Sequence, residues 1–448
     1  MTGAGWKGAV ARAAGRASRL TGRGGTSLPG KLLLRLEPRA IARLGARLQR
    51  SAVISATNGK TTTAAMVSSI LERGGARLVS NRAGANMAGG VAGALLAGRG
   101  DTGLFEVDEF WLGQIVADLR PDAILLANLF RDQLDRFGEL ETIADRWAQV
   151  AASSPSALVL NADDPLVADL GRTRTDVLSF GIEDREMALA GLQHAADSTH
   201  CRNCGAPYRY DAIFLGHLGH YHCDACGQTR PEPQVAATRI ALDGVRGARF
   251  RLRTPAGEAD VALPLPGLYN VYNALGAAAL CHRLGAPLTD IVTGLGAVAP
   301  AFGRAEAVRV GGRDVSIMLV KNPTGANEVL RTRALEPGEH DVLAVLNDQI
   351  ADGRDVSWIW DADFELLAPR VRRAVCSGSR APEMALRLKY AGVPEDRLLV
   401  EPALPAALDA AVGAPGGGAR LFALPTYTAM LALRQELVRR GVAGSSFG

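Results

Sequence analysis

Short apolar runs alternate with helix-length stretches through most of this chain. Ala52-Val53-Ile54, Ala123-Ile124-Leu125-Leu126 and Ala157-Leu158-Val159-Leu160 are continuous and bounded by polar residues, the pattern of strands buried on both faces. Between them lie amphipathic, Ala-rich segments long enough for helices. Residues 46–300 therefore predict βαβ units around a largely parallel sheet. The alternation breaks at 198–232 and resumes near Ala262-Leu263-Pro264. Val298-Ala299-Pro300-Ala301-Phe302-Gly303 reads as a joint. Beyond it, Val342-Leu343-Ala344-Val345-Leu346, Ala374-Val375-Cys376, Leu398-Leu399-Val400 and Leu421-Phe422-Ala423-Leu424 restart the pattern, predicting a smaller α/β domain over 301–448. Residues 1–45 are basic and Gly-rich, with Gly22, Gly24, Gly25 and Pro29 marking loop structure. They are expected to pack on the central domain.

A chain of 448 residues exceeds one ordinary core, which agrees with this division. With 48% hydrophobic and 21% charged residues it is neither disordered nor fibrous. A formal charge of +4 gives no case for a nucleic-acid partner. No apolar run reaches the roughly 18 residues of a membrane span. Trp6–Arg23 lacks the apolar centre of a signal peptide, so a cytoplasmic location is expected.

Val53-Ile54-Ser55-Ala56-Thr57-Asn58-Gly59-Lys60-Thr61-Thr62-Thr63 follows a strand and opens a helix, the context a phosphate-binding loop needs. Backbone N–H groups at the helix start face phosphates, Lys60 supplies a point charge, and Thr61 or Thr62 can reach Mg²⁺. The general pattern wants a Gly where Ile54 stands, so the generic match is incomplete.

Cys201-x-x-Cys204 and Cys223-x-x-Cys226 are each followed by a glycine, Gly205 and Gly227. Paired thiolates at this spacing form a closed tetrahedral zinc site, structural in kind because no position stays open. His220 and His222 flank the second pair and are alternative ligands. The segment 198–232 is read as a zinc ribbon stapling an inserted subdomain.

Ala56-Thr57-Asn58-Gly59-Lys60-Thr61-Thr62 resembles the ATP loop of the Mur ligase superfamily, and further matches follow in order. Phe105-Glu106-Val107-Asp108-Glu109 resembles the family's acidic segment, whose first Glu binds Mg²⁺. Asn128-Leu129-Phe130-Arg131-Asp132-Gln133-Leu134-Asp135 and Asn161-Ala162-Asp163-Asp164-Pro165 resemble two further segments. Gly267-Leu268-Tyr269-Asn270-Val271-Tyr272-Asn273 resembles a third, whose asparagines, here Asn270 and Asn273, lie near the nucleotide. Gly303-Arg304 sits where the family has a Gly-Arg pair. Gln133 and Tyr269 depart from the pattern, each replacing a His.

The zinc ribbon narrows the resemblance to the MurT family, the synthase subunits of lipid II isoglutaminyl synthases. Supporting strings are Asn81-Arg82-Ala83-Gly84-Ala85-Asn86-Met87, Lys321-Asn322-Pro323-Thr324-Gly325, Ala351-Asp352-Gly353-Arg354-Asp355-Val356-Ser357-Trp358-Ile359-Trp360-Asp361 and Leu424-Pro425-Thr426-Tyr427-Thr428-Ala429-Met430. The resemblance implies a Mur-ligase-like P-loop domain of α/β class, with an inserted Cys₄ ribbon and a Rossmann-like C-terminal domain. It implies that ATP phosphorylates the α-carboxylate of D-glutamate in lipid II at the inner face of the membrane, and that ammonia then gives D-isoglutamine. Thr57, Asn58, Gly59, Lys60, Thr61, Thr62, Asn270, Asn273 and Arg304 would hold the nucleotide, and Thr61 and Glu106 the Mg²⁺.

Outside the ribbon stand only Cys281 and Cys376, and Ala374-Val375-Cys376-Ser377-Gly378 lacks the first Gly of a glutaminase elbow. A separate glutaminase polypeptide is therefore expected, and the resemblance implies a GatD-type subunit as the partner. By the same resemblance an Asp of the C-terminal domain completes its Cys-His pair, with Asp352 the first choice and Asp355 the second, ahead of Asp348 and Asp361. An amino-acid-adding Mur or folate ligase, or a non-catalytic nucleotide-binding scaffold, are the alternatives.

Overall fold

Strand residues point alternately to two apolar layers because helices cover both faces of the central sheet. A computed structural model describes residues 27–81, 85–132, 140–193, 196–299, 304–413 and 420–443. The strands β1 (Arg50–Ser55), β2 (Leu78–Ser80), β3 (Thr102–Glu106), β4 (Ala123–Leu126), β5 (Ala157–Asn161) and β6 (Val177–Ile182) are parallel. Next, β7 (Arg209–Leu215) and β8 (Leu218–His222) form a separate hairpin. The chain then returns through β9 (Val235–Leu242), β10 (Ala248–Thr254) and β11 (Gly257–Leu263), giving the order β11-β10-β9-β6-β5-β4-β1-β3-β2.

On one face Ala52, Ile54 and Leu125 pack with Met66, Val67 and Ile70 of the helix Lys60–Arg73 and with the helix Leu268–Arg283. On the other, Val53, Ile124 and Leu126 meet Leu112, Ile143 and Trp147. Leu33 and Ile41, from the helices Leu28–Leu36 and Ala40–Gly45, join that second layer. Pro29 is thus not a loop residue: it occupies the first turn of a helix, where its missing N–H is no loss.

The sheet is not parallel throughout. β9, β10 and β11 pair antiparallel, and Leu263 ends an edge strand instead of opening another βαβ unit. Arg249-Phe250-Arg251-Leu252-Arg253 explains this, since alternate side chains are buried and exposed along β10. That is the signature of a half-solvated antiparallel strand.

The second sheet runs β12-β13-β17-β14-β15-β16, from β12 (Arg304–Val310), β13 (Arg313–Met318), β14 (His340–Val345), β15 (Val371–Ser377), β16 (Leu398–Val400) and β17 (Leu421–Pro425). Only β12 pairs antiparallel to its neighbour; the rest form a parallel, Rossmann-like sheet. Among the described residues no helix is long and apolar enough to cross a membrane.

Candidate active site

β1 delivers the loop Ala56–Gly59 to the carboxyl edge of the sheet. Gly59 takes φ +87°, a left-handed turn that aims the first N–H groups of the helix Lys60–Arg73 outward. A Cβ at this position would lie 2.1 Å from Asn273 Oδ1, so the loop rests directly on the helix Leu268–Arg283. Gly59→Ala would therefore meet both a strained backbone and the Asn273 side chain, which Asn270 and Thr63 hold in place by hydrogen bonds. It is expected to lower the thermal midpoint and to weaken ATP binding at least about tenfold, the strain being of order 1–3 kcal/mol. Calorimetry and nucleotide titration of the variant would read both.

Lys60 Nζ donates to Glu109 Oε2 at 2.9 Å and to the Ala56 carbonyl. Burial works most strongly against its charge, but Glu109, Asp108 and Asp132 together outweigh it and hold the ammonium above its ordinary pKa. Thr61 Oγ1 donates to Glu106 Oε2 at 2.8 Å. Asn81 fixes the Glu106 backbone, accepting from its N–H at 2.9 Å and donating to its carbonyl at 2.7 Å. A hydroxyl and a carboxylate in this arrangement are the hard oxygen donors that Mg²⁺ takes alongside water.

Asn128 buttresses the loop: its Oδ1 accepts from Asn58 N–H and its Nδ2 donates to the Asn58 carbonyl. Thr57 Oγ1 accepts from Phe130 N–H at 3.0 Å. Asn270 Oδ1 accepts from Asn273 Nδ2 at 3.0 Å, and Asn273 accepts from Thr63. Asn58, Gly59, Thr62, Tyr269, Asn273 and Lys321 line one cavity of about 120 Å³ between the two domains. Arg304 begins β12, opposite Met318 of that lining. Gln133 lies outside the described residues.

The four ribbon sulfurs lie within 4.8 Å of one another, with Cys201–Cys226 at 3.6 Å and Cys204–Cys223 at 3.5 Å. Tetrahedral Zn–S bonds of about 2.3 Å require sulfur separations of about 3.8 Å, so the donor set fits. Gly205 and Gly227 take positive φ, and their N–H groups donate to the Cys201 and Cys223 carbonyls, closing two knuckles. His220 and His222 are not in this cluster. His220 Nε2 meets the Ile182 carbonyl, and His222 lies between Asp211 and Asp224.

In the second domain, Asp352 follows β14 and is buried, accepting from Thr428 N–H at 2.7 Å and from the Thr428 hydroxyl. It caps the first turn of the helix Tyr427–Arg439. Asp355 is exposed and accepts from Ser357, whose hydroxyl and N–H hold its carboxyl below the usual range. Asp348 bonds Ser379 and Arg380, and Asp361 faces Arg131 at 3.6 Å.

Sequence reasoning quoted Asn81, Glu109, Asn128 and Lys321 only inside longer strings. Glu109, Asn128 and Lys321 contact the loop or its lysine and Asn81 holds Glu106, but each arrives from a different strand end, which no local string reveals.

Residues 54–223 match the Mur ligase middle domain model and residues 319–430 the MurT ligase C-terminal model. The MurT subunit of lipid II isoglutaminyl synthase (glutamine-hydrolyzing) from Staphylococcus aureus strain N315 is 31% identical, with 98% of each chain aligned. Its counterpart from Streptococcus pneumoniae strain ATCC BAA-255 / R6 is 33% identical, with 96% of each chain aligned. The solved pseudomurein peptide ligase type C from Methanothermus fervidus shares the fold, with a TM-score of 0.72 at 22% identity over 89% of this chain and 80% of that one. With near-complete alignment to those synthase subunits, and the loop, acidic pair and cysteine knuckles in place, the chain belongs to the MurT family of lipid II isoglutaminyl synthase subunits, ligases built on the Mur ligase fold.

Proposed function

We propose that this chain uses ATP to activate the α-carboxylate of D-glutamate in the lipid II stem peptide, for amidation to D-isoglutamine. The observation that carries the reading is the loop itself. Lys60 and the Thr61–Glu106 pair meet at the helix N-terminus, and Asn58, Gly59 and Thr62 of the same loop line a cavity that Lys321 of the second domain also borders. A carboxylate repels nucleophiles and has no good leaving group. Phosphorylation supplies one, and its catalysis is chiefly positioning and charge neutralisation.

In this reading Thr57, Asn58, Gly59 and Thr62 cradle the phosphates, Asn270 and Asn273 border the nucleotide, and Arg304 adds positive charge. Thr61 and Glu106 hold Mg²⁺, which neutralises phosphate charge. In the same reading residues 46–300 form the ATP-binding domain, with 27–45 packed on it and 198–232 inserted in it, and 301–448 form the C-terminal domain; residues 1–26 of the N-terminal segment lie outside the described residues.

Ammonia would come from a GatD-type glutaminase subunit. Cys281 and Cys376 are both buried, and burial pushes the Cys376 thiol up to about 12, so neither suits a nucleophile. The substrate places the work at the cytoplasmic face of the membrane. Purified protein with lipid II, ATP and ammonium should yield an amidated product without any amino acid. Incorporation of an amino acid, or ATP binding without turnover, would instead support the two other readings.

The ribbon is read as a structural zinc site. Elemental analysis should find about one zinc per chain, and Cys201→Ser should cost stability more than catalytic rate. Stoichiometric iron, or metal-free protein purified without chelators, would overturn it.

A further inference from the structure

The turn after β13 reaches from the C-terminal domain onto the phosphate loop. Asn322 caps the helix Pro323–Ala334 by accepting from Gly325 N–H at 2.8 Å. Its side-chain amide also pairs reciprocally with that of Asn58, at 3.0 and 3.4 Å. Lys321, one residue earlier, donates to the Thr57 carbonyl at 3.3 Å and forms an ion pair with Asp132. Its side chain is 28% exposed and lines the same cavity as Asn58 and Gly59. Asp132 Oδ1 is buried and has no hydrogen-bond partner among the described residues.

The loop is thus flanked by two lysines, each held by an acid: Lys60 by Glu109 and Lys321 by Asp132. In a phosphate-binding loop the helix N-terminus and its lysine serve the inner phosphates and reach toward the terminal one. Thr57 lies at the upstream end of the loop, where the terminal phosphate would project. A cation there has nothing to do for ADP and much to do for ATP.

We infer that Lys321 binds the γ-phosphoryl group of ATP, so that the C-terminal domain supplies part of the phosphoryl-transfer site. The ammonium leaves the singly used Asp132 for a phosphate that offers more charge and more acceptors. As the substrate carboxylate forms its bond to phosphorus, the bond to the bridging oxygen breaks and ADP departs with the electron pair. Lys321 keeps its proton throughout and neutralises charge on the transferred oxygens. The Asn322–Asn58 pair holds the two domains in register while it does so. This rests on the ATP-dependent reading proposed above.

The test compares ATP and ADP binding, each with Mg²⁺, by calorimetry on the full chain, for wild type, Lys321→Met, Lys321→Arg and Lys60→Ala. Lys321→Met should weaken ATP about tenfold, while ADP changes less than about twofold, because only the γ-phosphate meets the ammonium. Lys321→Arg should recover part of that discrimination. Ammonium-driven amidation by Lys321→Met should fall about a hundredfold in kcat; its unfolding midpoint should drop because Asp132 loses its partner, while retained ADP binding shows that the site is still folded. Equal weakening of ATP and ADP would mean a structural clip, and unchanged binding would mean no role; either overturns the inference. If Lys60→Ala loses ATP while Lys321→Met does not, only the role of Lys321 fails. If Lys60→Ala binds ATP like wild type, the nucleotide site itself has been misplaced.

Discussion

Lys60→Ala is expected to abolish amidation with added ammonium as completely as with glutamine. In the proposed reading both routes need the same activated carboxylate, and Lys60 is the cation that would meet the phosphates. Removing one preorganised charge from a water-poor site typically costs a factor of about 10²–10³, and here the binding of ATP would be lost with it. The variant also strips Glu109 of its 2.9 Å partner. Circular dichroism and the thermal midpoint must therefore accompany the assay, since an unpaired buried carboxylate destabilises. ADP release and product mass, measured with lipid II and saturating ammonium, are the readouts. Near-normal activity would remove the loop from the mechanism.

The second large effect is selective. Asp352→Asn should preserve folding, ATP binding and ammonium-driven amidation while cutting glutamine-driven amidation by about 10³–10⁴-fold. An asparagine still accepts from Thr428 N–H, so the helix cap survives. It cannot stabilise an imidazolium on a partner's histidine. The comparison is sharp because Asn keeps the bond to Thr428 N–H while the proposed bond to a partner's imidazole would lose its charge. Asp352→Ala would add a stability loss of about 1 kcal/mol from the missing cap. Asp355→Asn is the parallel arm: its carboxylate is exposed and bound only through Ser357, so nothing structural should change. If Asp352→Asn lost both activities equally, the residue would belong to the synthase site or to folding. If only Asp355→Asn lost glutamine-driven activity, Asp355 would be the triad residue.

Strands that are buried on both faces announce themselves as unbroken apolar runs, which is why β1, β4, β5, β14, β15 and β17 are legible directly; β16, an edge strand, is legible by its apolar run alone. β2 and β16 are both three residues long, yet Leu398-Leu399-Val400 is wholly apolar while Leu78-Val79-Ser80 is not. The alternation in β10 carried the antiparallel signal, but the expectation of βαβ units overrode it. In the site, residues that share a short stretch of chain were legible: Gly59, Lys60 and Thr61, or the two CxxC knuckles. Residues brought in from other strand ends were not. Asn81 clamps Glu106 across β2 and β3, and Lys321 meets Asp132 across nearly two hundred positions. No local pattern specifies such pairs, because their spacing is set by the strand order of two sheets.

The cysteine knuckles sit inside the crossover that joins β6 to β9, which pair in parallel at Phe180–Val235. Everything from Glu183 to Gln234 must fold back before that pairing can form. Closing a flexible loop costs entropy that grows with the logarithm of its length. If the ribbon holds zinc as proposed, the closed knuckles and the hairpin β7–β8 would make much of this span a preformed bead, leaving less chain to be ordered when β9 docks. A chelator should thus act most strongly on the rate of refolding from denaturant. The finished protein, with β9 already locked between β6 and β10, should lose its fold far more slowly.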